Sequence, residues 1–91
     1  MITLPDAKRH LRIEYDDEDD AIAVYVAAAN KAVLDYCRRD AVPAGGEPVF
    51  KSAALLVVGD LYENREAQSS VALFENRAAR SLIDPYRMLR V

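Results

Sequence analysis

Apolar residues recur at steps of three and four along two long stretches of this chain, a period that fits helices and little else. Ile22, Tyr25, Val26, Ala29, Val33, Tyr36 and Cys37 fall on one stripe of a helix that starts at Asp16 or Asp17 and runs to about Arg39. Asn30, Lys31 and Asp35 lie on its other side. Acids in the first turn, and Arg38 and Arg39 at the end, both suit the helix dipole, at roughly 0.3–1 kcal/mol each at best. Repulsion among the acids takes part of that back. Val49, Phe50, Ala53, Ala54, Val57, Leu61 and Tyr62 repeat the pattern over a second long helix, opened by Pro48 and ending near Glu66. Between the two, Asp40 to Pro48 holds two glycines and two prolines, which makes it a loop.

The run Ala54-Leu55-Leu56-Val57-Val58-Gly59, taken alone, also suits a buried strand. The helical spacing persists on both sides of it, however, and Asp60 beside Gly59 sits awkwardly in a sheet, so helix is the better reading. Because this helix is apolar on most sides from Phe50 to Tyr62, it is expected to be the central one. Two short helices flank the long pair. Thr3 is a good N-cap, with Leu4 and Pro5 in the first turn and Asp6 placed to close a capping box. That helix runs to about Arg12 and shows Leu4, Ala7 and Leu11 on one face, followed by an extended link, Ile13-Glu14-Tyr15. Asn76 caps a last helix from Arg77 to Ile83, stopped by Asp84-Pro85. Ala67 to Ser70 reads as a loop, Val71 to Phe74 as an apolar loop or arm, and Tyr86 to Val91 as a basic tail. The expected fold class is therefore all-α: a small bundle of about four helices (short, long, long, short) around an apolar third helix, with residues 1–91 forming one domain.

Ninety-one residues bury only about 60–65% of the surface that the unfolded chain exposes, which leaves a thin stability margin. Much of the apolar content is alanine, which draws helices close together instead of filling a bulky core. Cores of that kind are often completed by neighbouring subunits. The formal charge of −3 argues against a general nucleic-acid binder. Charge is unevenly placed: six of the seven residues from Glu14 to Asp20 are acids, whereas the stretch from Arg77 onward has four arginines and one acid. Ends of opposite sign suit head-to-tail pairing between copies. The single cysteine, Cys37, cannot make an intrachain disulfide and is expected to be a small buried hydrophobe in a reducing compartment. Neither a signal peptide nor a membrane span is expected: Thr3 to Arg12 is already polar and helical, and the longest apolar run, Ala53 to Val58, is too short to cross a bilayer.

Catalytic constellations can be tested by inventory. Nucleophilic catalysis needs an activating base, and the only histidine, His10, lies in a polar helix where a solvated residue is expected. One cysteine and one histidine do not make a zinc site, and Gly45-Gly46 lacks the spacing and the lysine of a phosphate loop. The acids from Asp16 to Asp20 resemble the start of a calcium loop, but Ala21 stands where the sixth-position glycine belongs and Ala27 where the twelfth-position acid belongs. Helix capping or a solvated patch accounts for them better. No enzyme activity, cofactor or metal is expected. Arg77 and Arg80 share a helix face, and Arg87 and Arg90 follow. Capping and intersubunit ion pairs explain these better than DNA binding, since no aromatic platform or recognition helix accompanies them. Tyr62-Glu63-Asn64-Arg65-Glu66 and Leu82-Ile83-Asp84-Pro85-Tyr86-Arg87 each place a tyrosine and an arginine at a helix end. Local capping and an interface anchor explain these two groups equally well.

Several of these residues, taken in order, resemble a known family. They are Thr3-Leu4-Pro5-Asp6-Ala7-Lys8 through His10-Leu11-Arg12-Ile13, an acidic stretch ending Asp19-Asp20, Ala28-Ala29 in a long helix, Tyr62-Glu63-Asn64-Arg65-Glu66, and Leu82-Ile83-Asp84-Pro85-Tyr86-Arg87. Over Thr3 to Arg87 the chain is similar to the small head-tail connectors of long-tailed bacteriophages and prophages, often labelled DNA-packaging proteins. The resemblance implies a non-catalytic helical protomer that forms a homo-oligomeric ring under the portal. Such a ring meets the portal protein and the next connector or tail protein, and lets packaged DNA pass without sequence-specific binding. It also implies a place at the head-tail junction of the virion after assembly in the bacterial cytoplasm, with no membrane involved. Two features depart from the family pattern: Asn76-Arg77 stands where a proline is expected to open the last helix, and Ala67 to Glu75 matches nothing in it.

The candidates for contact with sister copies or partners are the acids Asp16, Asp17, Asp19 and Asp20 at one end, and Tyr62, Arg65, Glu66, Phe74, Arg77, Arg80, Tyr86 and Arg87 at the other. Two alternatives belong to other classes. A helical DNA-binding regulator is suggested by the arginine-rich end and opposed by the acidic balance; a gel shift at moderate salt discriminates it. A monomeric or dimeric adaptor for one cellular protein is separated from a ring by light scattering over a concentration series.

Overall fold

Thr3 opens the first helix through a reciprocal pair of hydrogen bonds. In the computed structural model, which describes residues 1–63 and 76–88, the Thr3 hydroxyl accepts from the Asp6 N–H at 3.3 Å, and the Asp6 carboxylate accepts from the Thr3 N–H at 3.0 Å. This capping box, with Pro5 in the first turn, starts α1, Leu4–Leu11. Arg12 then turns left-handed (φ 60°) and the Ile13 N–H reaches back to the Lys8 carbonyl, so the helix closes with Ile13 buried against it.

The second helix, α2, spans Asp19–Cys37, shorter at both ends than the periodicity suggests. Residues 16–18 form a turn closed by the Asp19 N–H on the Asp16 carbonyl. Lys8 holds the side chains of Asp16 and Asp19 together, which keeps the first acids out of the helix. At the other end Arg38 adopts φ 57° and the Arg39 N–H bonds the Leu34 carbonyl. Arg39 thus leaves the helix, and its guanidinium donates to the Tyr86 carbonyl at 2.8 Å instead of capping α2.

Helix α3, Glu47–Glu63, begins one residue before Pro48 and contains the whole Ala54–Gly59 run, so the helical reading of that segment is the right one. The tight entry depends on two glycines. Gly45 has φ +82°, and a Cβ on Gly46 would stand 3.1 Å from Pro43 Cγ and 3.2 Å from its carbonyl oxygen. The continuation of this helix toward Glu66, the loop at 67–70 and the apolar segment at 71–74 lie outside the described residues. The last described helix, α4, spans Arg77–Ile83 and passes into a 3-10 turn, Asp84–Tyr86, where Pro85 ends the α-helical pattern.

Among the described residues the fold is four α-helices and no strand, all-α as the periodicity predicts. Helix α3 is the central one and packs against α1, α2 and α4. It contributes Phe50, Ala53, Ala54, Val57 and Val58 to the core, and meets Ile22, Val26, Ala29, Val33 and Cys37 of α2, Ala7 of α1, and Ala79 and Ile83 of α4. Tyr25 and Tyr36 sit half-buried at the margin of the α2 stripe. Five wholly buried alanines (Ala7, Ala29, Ala53, Ala54, Ala79) let the helices approach closely, and Phe50 is the largest buried side chain. The N-terminal segment is strapped onto α2: the Asn30 amide accepts from the Ile2 N–H at 3.2 Å and donates to the Ile2 carbonyl at 3.0 Å, which seats Ile2 in the core.

Candidate subunit and partner interface

The acidic candidates divide into two used internally and two left outward. Lys8 Nζ lies 2.7 Å from Asp16 Oδ1 and 2.8 Å from Asp19 Oδ1, so a lysine of α1 closes the entry to α2. Hydrogen bonds to Asp16 and then Asp19 hold the Lys8 ammonium above its ordinary range, and Lys8 in turn pulls the Asp16 carboxyl below the usual carboxylate range. Asp17 and Asp20 are exposed and make no ion pair with any described residue.

Glu18, in the middle of the acid run, faces inward. Its Oε2 accepts from the Tyr62 hydroxyl at 2.6 Å and from the Tyr15 hydroxyl at 3.3 Å. That use of the carboxylate explains why Glu18, although the N-cap of α2, makes no side-chain cap. The Tyr62 phenol holds its proton more tightly than a free tyrosine, first because of Glu18 and then because of Tyr15. Tyr62 therefore joins the end of α3 to the start of α2. No spacing signal in the sequence pairs a carboxylate with a tyrosine so far away.

At the opposite end the residues after α4 fold back on α2. The Tyr36 hydroxyl donates to the Asp84 carboxylate, and that bond raises the phenol above its ordinary range. The Arg87 guanidinium lies 4.7 Å above the centre of the Tyr36 ring. Tyr86 packs edge-on against Phe50, with centroids 5.5 Å apart, while its carbonyl accepts from Arg39. The Cys37 thiol donates to the Ile83 carbonyl at 3.4 Å, and the Met88 N–H donates to the Cys37 carbonyl at 2.9 Å. Burial pushes the Cys37 thiol up, consistent with a packed side chain. Spacing in the sequence does not point to Tyr36, Asp84 or Arg39, because only a terminal segment that folds back makes them neighbours.

Of the remaining candidates, Arg77 is exposed on α4. Arg80 is half-buried, and its Nε has no hydrogen-bond partner among the described residues. Arg65, Glu66 and Phe74 lie outside the described residues. Asn76 accounts for the missing proline at the start of the last helix: its side-chain oxygen accepts from the Ala79 N–H at 2.8 Å, while its amide nitrogen donates to Asp60 at 2.6 Å and to the Leu56 carbonyl at 3.4 Å. One side chain thus caps α4 and fastens it to α3. His10 is exposed, with its ring beside Gly59. Among the described residues no group of three His, Cys, Asp or Glu side chains could hold a metal ion, and no helix is long and apolar enough to cross a membrane.

The arrangement presents outward charge at one end, aromatic and arginine groups at the other, and ties each end internally. Residues 1–87 match the family model described as phage gp6-like head-tail connector protein. The chain is 37% identical over 92 residues to head completion protein gp6 of Enterobacteria phage HK97, an alignment that covers 99% of this chain and 85% of that protein. No solved structure matches at a significant level.

Proposed function

The chain belongs to the phage gp6-like head-tail connector family, and on that premise we propose that identical copies of it form a ring beneath the portal of a tailed phage or prophage. The ring extends the channel for packaged DNA, completes the head, and offers its far face to the next connector or tail protein. Its place is the head-tail junction of the virion, reached after assembly in the bacterial cytoplasm.

The observation that carries this reading is the extent of the match. It runs over residues 1–87 and so takes in all four described helices, with the core that joins them. The geometry adds support. Two guanidinium groups have partners within the protomer: Arg87 lies over the Tyr36 ring and Arg39 bonds the Tyr86 carbonyl. With a net charge of −3, the protomer suits a channel that lets DNA slide without gripping it. Non-specific duplex binding usually rests on a basic surplus, and the acidic balance of the chain speaks against it.

Deleting the gene from an inducible lysogen and examining the particles tests the proposal. The expected result is heads that carry no tails and infect no cells, restored by supplying the chain in trans. Normal tailed virions from the deletion strain would overturn it.

A further inference from the structure

Ten consecutive residues of α2, Ala21 to Asn30, carry no charge. Yet Ala23, Val24, Ala27 and Ala28 are exposed, and Val24 leaves 65% of its surface open. The outward face of a helix in a small bundle ordinarily carries charged and polar groups. Here charge returns only at the edges of the patch. Asp17 and Asp20 precede it, unpaired among the described residues, and Lys31 follows, already paired with Asp35 at 3.2 Å.

Helix α4 has a counterpart. It buries Ala79 and Ile83 and turns Ala78, Ser81 and Leu82 outward, with Leu82 37% exposed and Arg77 exposed at the edge. Both helices use their buried stripes on α3, so their outer faces point away from it and cannot meet within one protomer. Each patch is made of small side chains with one larger apolar group, Val24 on α2 and Leu82 on α4. The α2 patch has an acidic rim and the α4 patch a basic one.

We infer that these patches are the two halves of one contact between sister copies. The Val24–Ala28 face of α2 in one copy receives the Ala78–Leu82 face of α4 in the next, with Asp20 and Arg77 meeting at the rim. The inference rests on the ring reading above and names the surfaces that build it. Small residues on both sides let the two helices approach closely, and the opposite rims set the pairing and exclude like against like. A contact between two different patches is heterologous, so it repeats from copy to copy until the ring closes, whereas a self-complementary patch stops at a dimer.

Crosslinking tests this with the full chain. Copies carrying Val24→Cys and copies carrying Leu82→Cys are prepared separately, mixed, assembled at high concentration and on portal-bearing heads, and treated with a short bismaleimide. Cys37 is wholly buried and does not compete. The mixed Val24→Cys/Leu82→Cys product should exceed either like pair by about tenfold, because only the mixed pair is held at high effective concentration. Val24→Arg should abolish assembly while leaving helicity and the unfolding midpoint of the protomer unchanged. If a closed oligomer forms without the mixed product, if Val24→Cys links to portal or tail protein instead, or if Val24→Arg assembles normally, the inference is overturned and the ring reading stands. If the wild-type chain forms no closed oligomer in either setting, the ring reading falls and takes the inference with it.

Discussion

The hydroxyl of Tyr62 donates to the carboxylate of Glu18 at 2.6 Å across 44 residues of sequence, joining the last turn of α3 to the first of α2. Two long helices that share a core are thereby also fastened at one rim, where Tyr15 adds a second donor to the same oxygen. Tyr62→Phe should lower the thermal midpoint at neutral pH. The bond needs the protonated phenol, whose folded-state pKa lies above the ordinary 10.0, so its contribution is complete below pH 10 and fades as pH rises through the folded-state value. The wild type should accordingly lose stability more steeply than Tyr62→Phe above pH 10. Parallel curves in an alkaline series of melts would refute the role.

Lys8 gives a test at the acid end. Asp16 is depressed by Lys8, so the stability it contributes is present above its unfolded value, near 3.8, and is lost as pH falls through the lower folded value. Lys8, raised above 10.5 in the fold, contributes below that value and loses its effect only in strong alkali. Lys8→Met should therefore be less stable than wild type at pH 7, and the gap should shrink below about pH 4. Urea midpoints measured from pH 7 to pH 2 decide it; a constant gap would dissociate Lys8 from the acid run.

Gly59 lies inside α3, where an added Cβ would find only His10 Nε2 at 3.8 Å, an ordinary contact. No positive φ requires a glycine there. Gly59→Ala should stabilise the protein by about 0.5–1 kcal/mol through reduced freedom of the unfolded chain. An unchanged or lowered urea midpoint would show that α1 and α3 pack more tightly at His10 than this spacing allows.

Asn76→Ala removes both the cap of α4 and the link to Asp60. A loss of about 1–2 kcal/mol is expected, near the upper range for a cap. Asn76→Asp keeps an acceptor for the Ala79 N–H but sets a second carboxylate against Asp60, so it should recover little. Full recovery by Asp would mean that capping alone matters. Chemical denaturation of the three proteins separates these outcomes.

These contacts divide by the reach of the signal that encodes them. The capping box at Thr3 and Asp6, the α2 stripe from Ile22 to Cys37 and the central place of α3 depend on residues within a turn or two of each other, and periodicity reveals them. Helix ends were less legible, because Lys8 from another helix decides where α2 begins and the Tyr86 carbonyl draws Arg39 out of its end. Among the interface candidates, the acid run looked uniform. The fold splits it: Asp16 and Asp19 to Lys8, Glu18 to two tyrosines, Asp17 and Asp20 to solvent. Tyrosine and arginine at helix ends suit local capping and interface anchoring equally well; within the protomer Tyr86 and Arg87 contact Phe50 and Tyr36, partners 36 and 51 positions away. Alternation and spacing carry no information about such distant neighbours.

Ala79 and Ile83 are wholly buried, and the backbone that follows them bonds to Cys37. A chain emerging from the ribosome can therefore form α2 and α3 but cannot cover the side of α3 that receives Ala79 and Ile83 until α4 has been translated. Until then the apolar side chains reserved for Ile83 stay open to water and to chaperones, and the protomer is finished only after synthesis has passed this point. Translation itself thus sets the earliest moment at which a fully packed protomer exists.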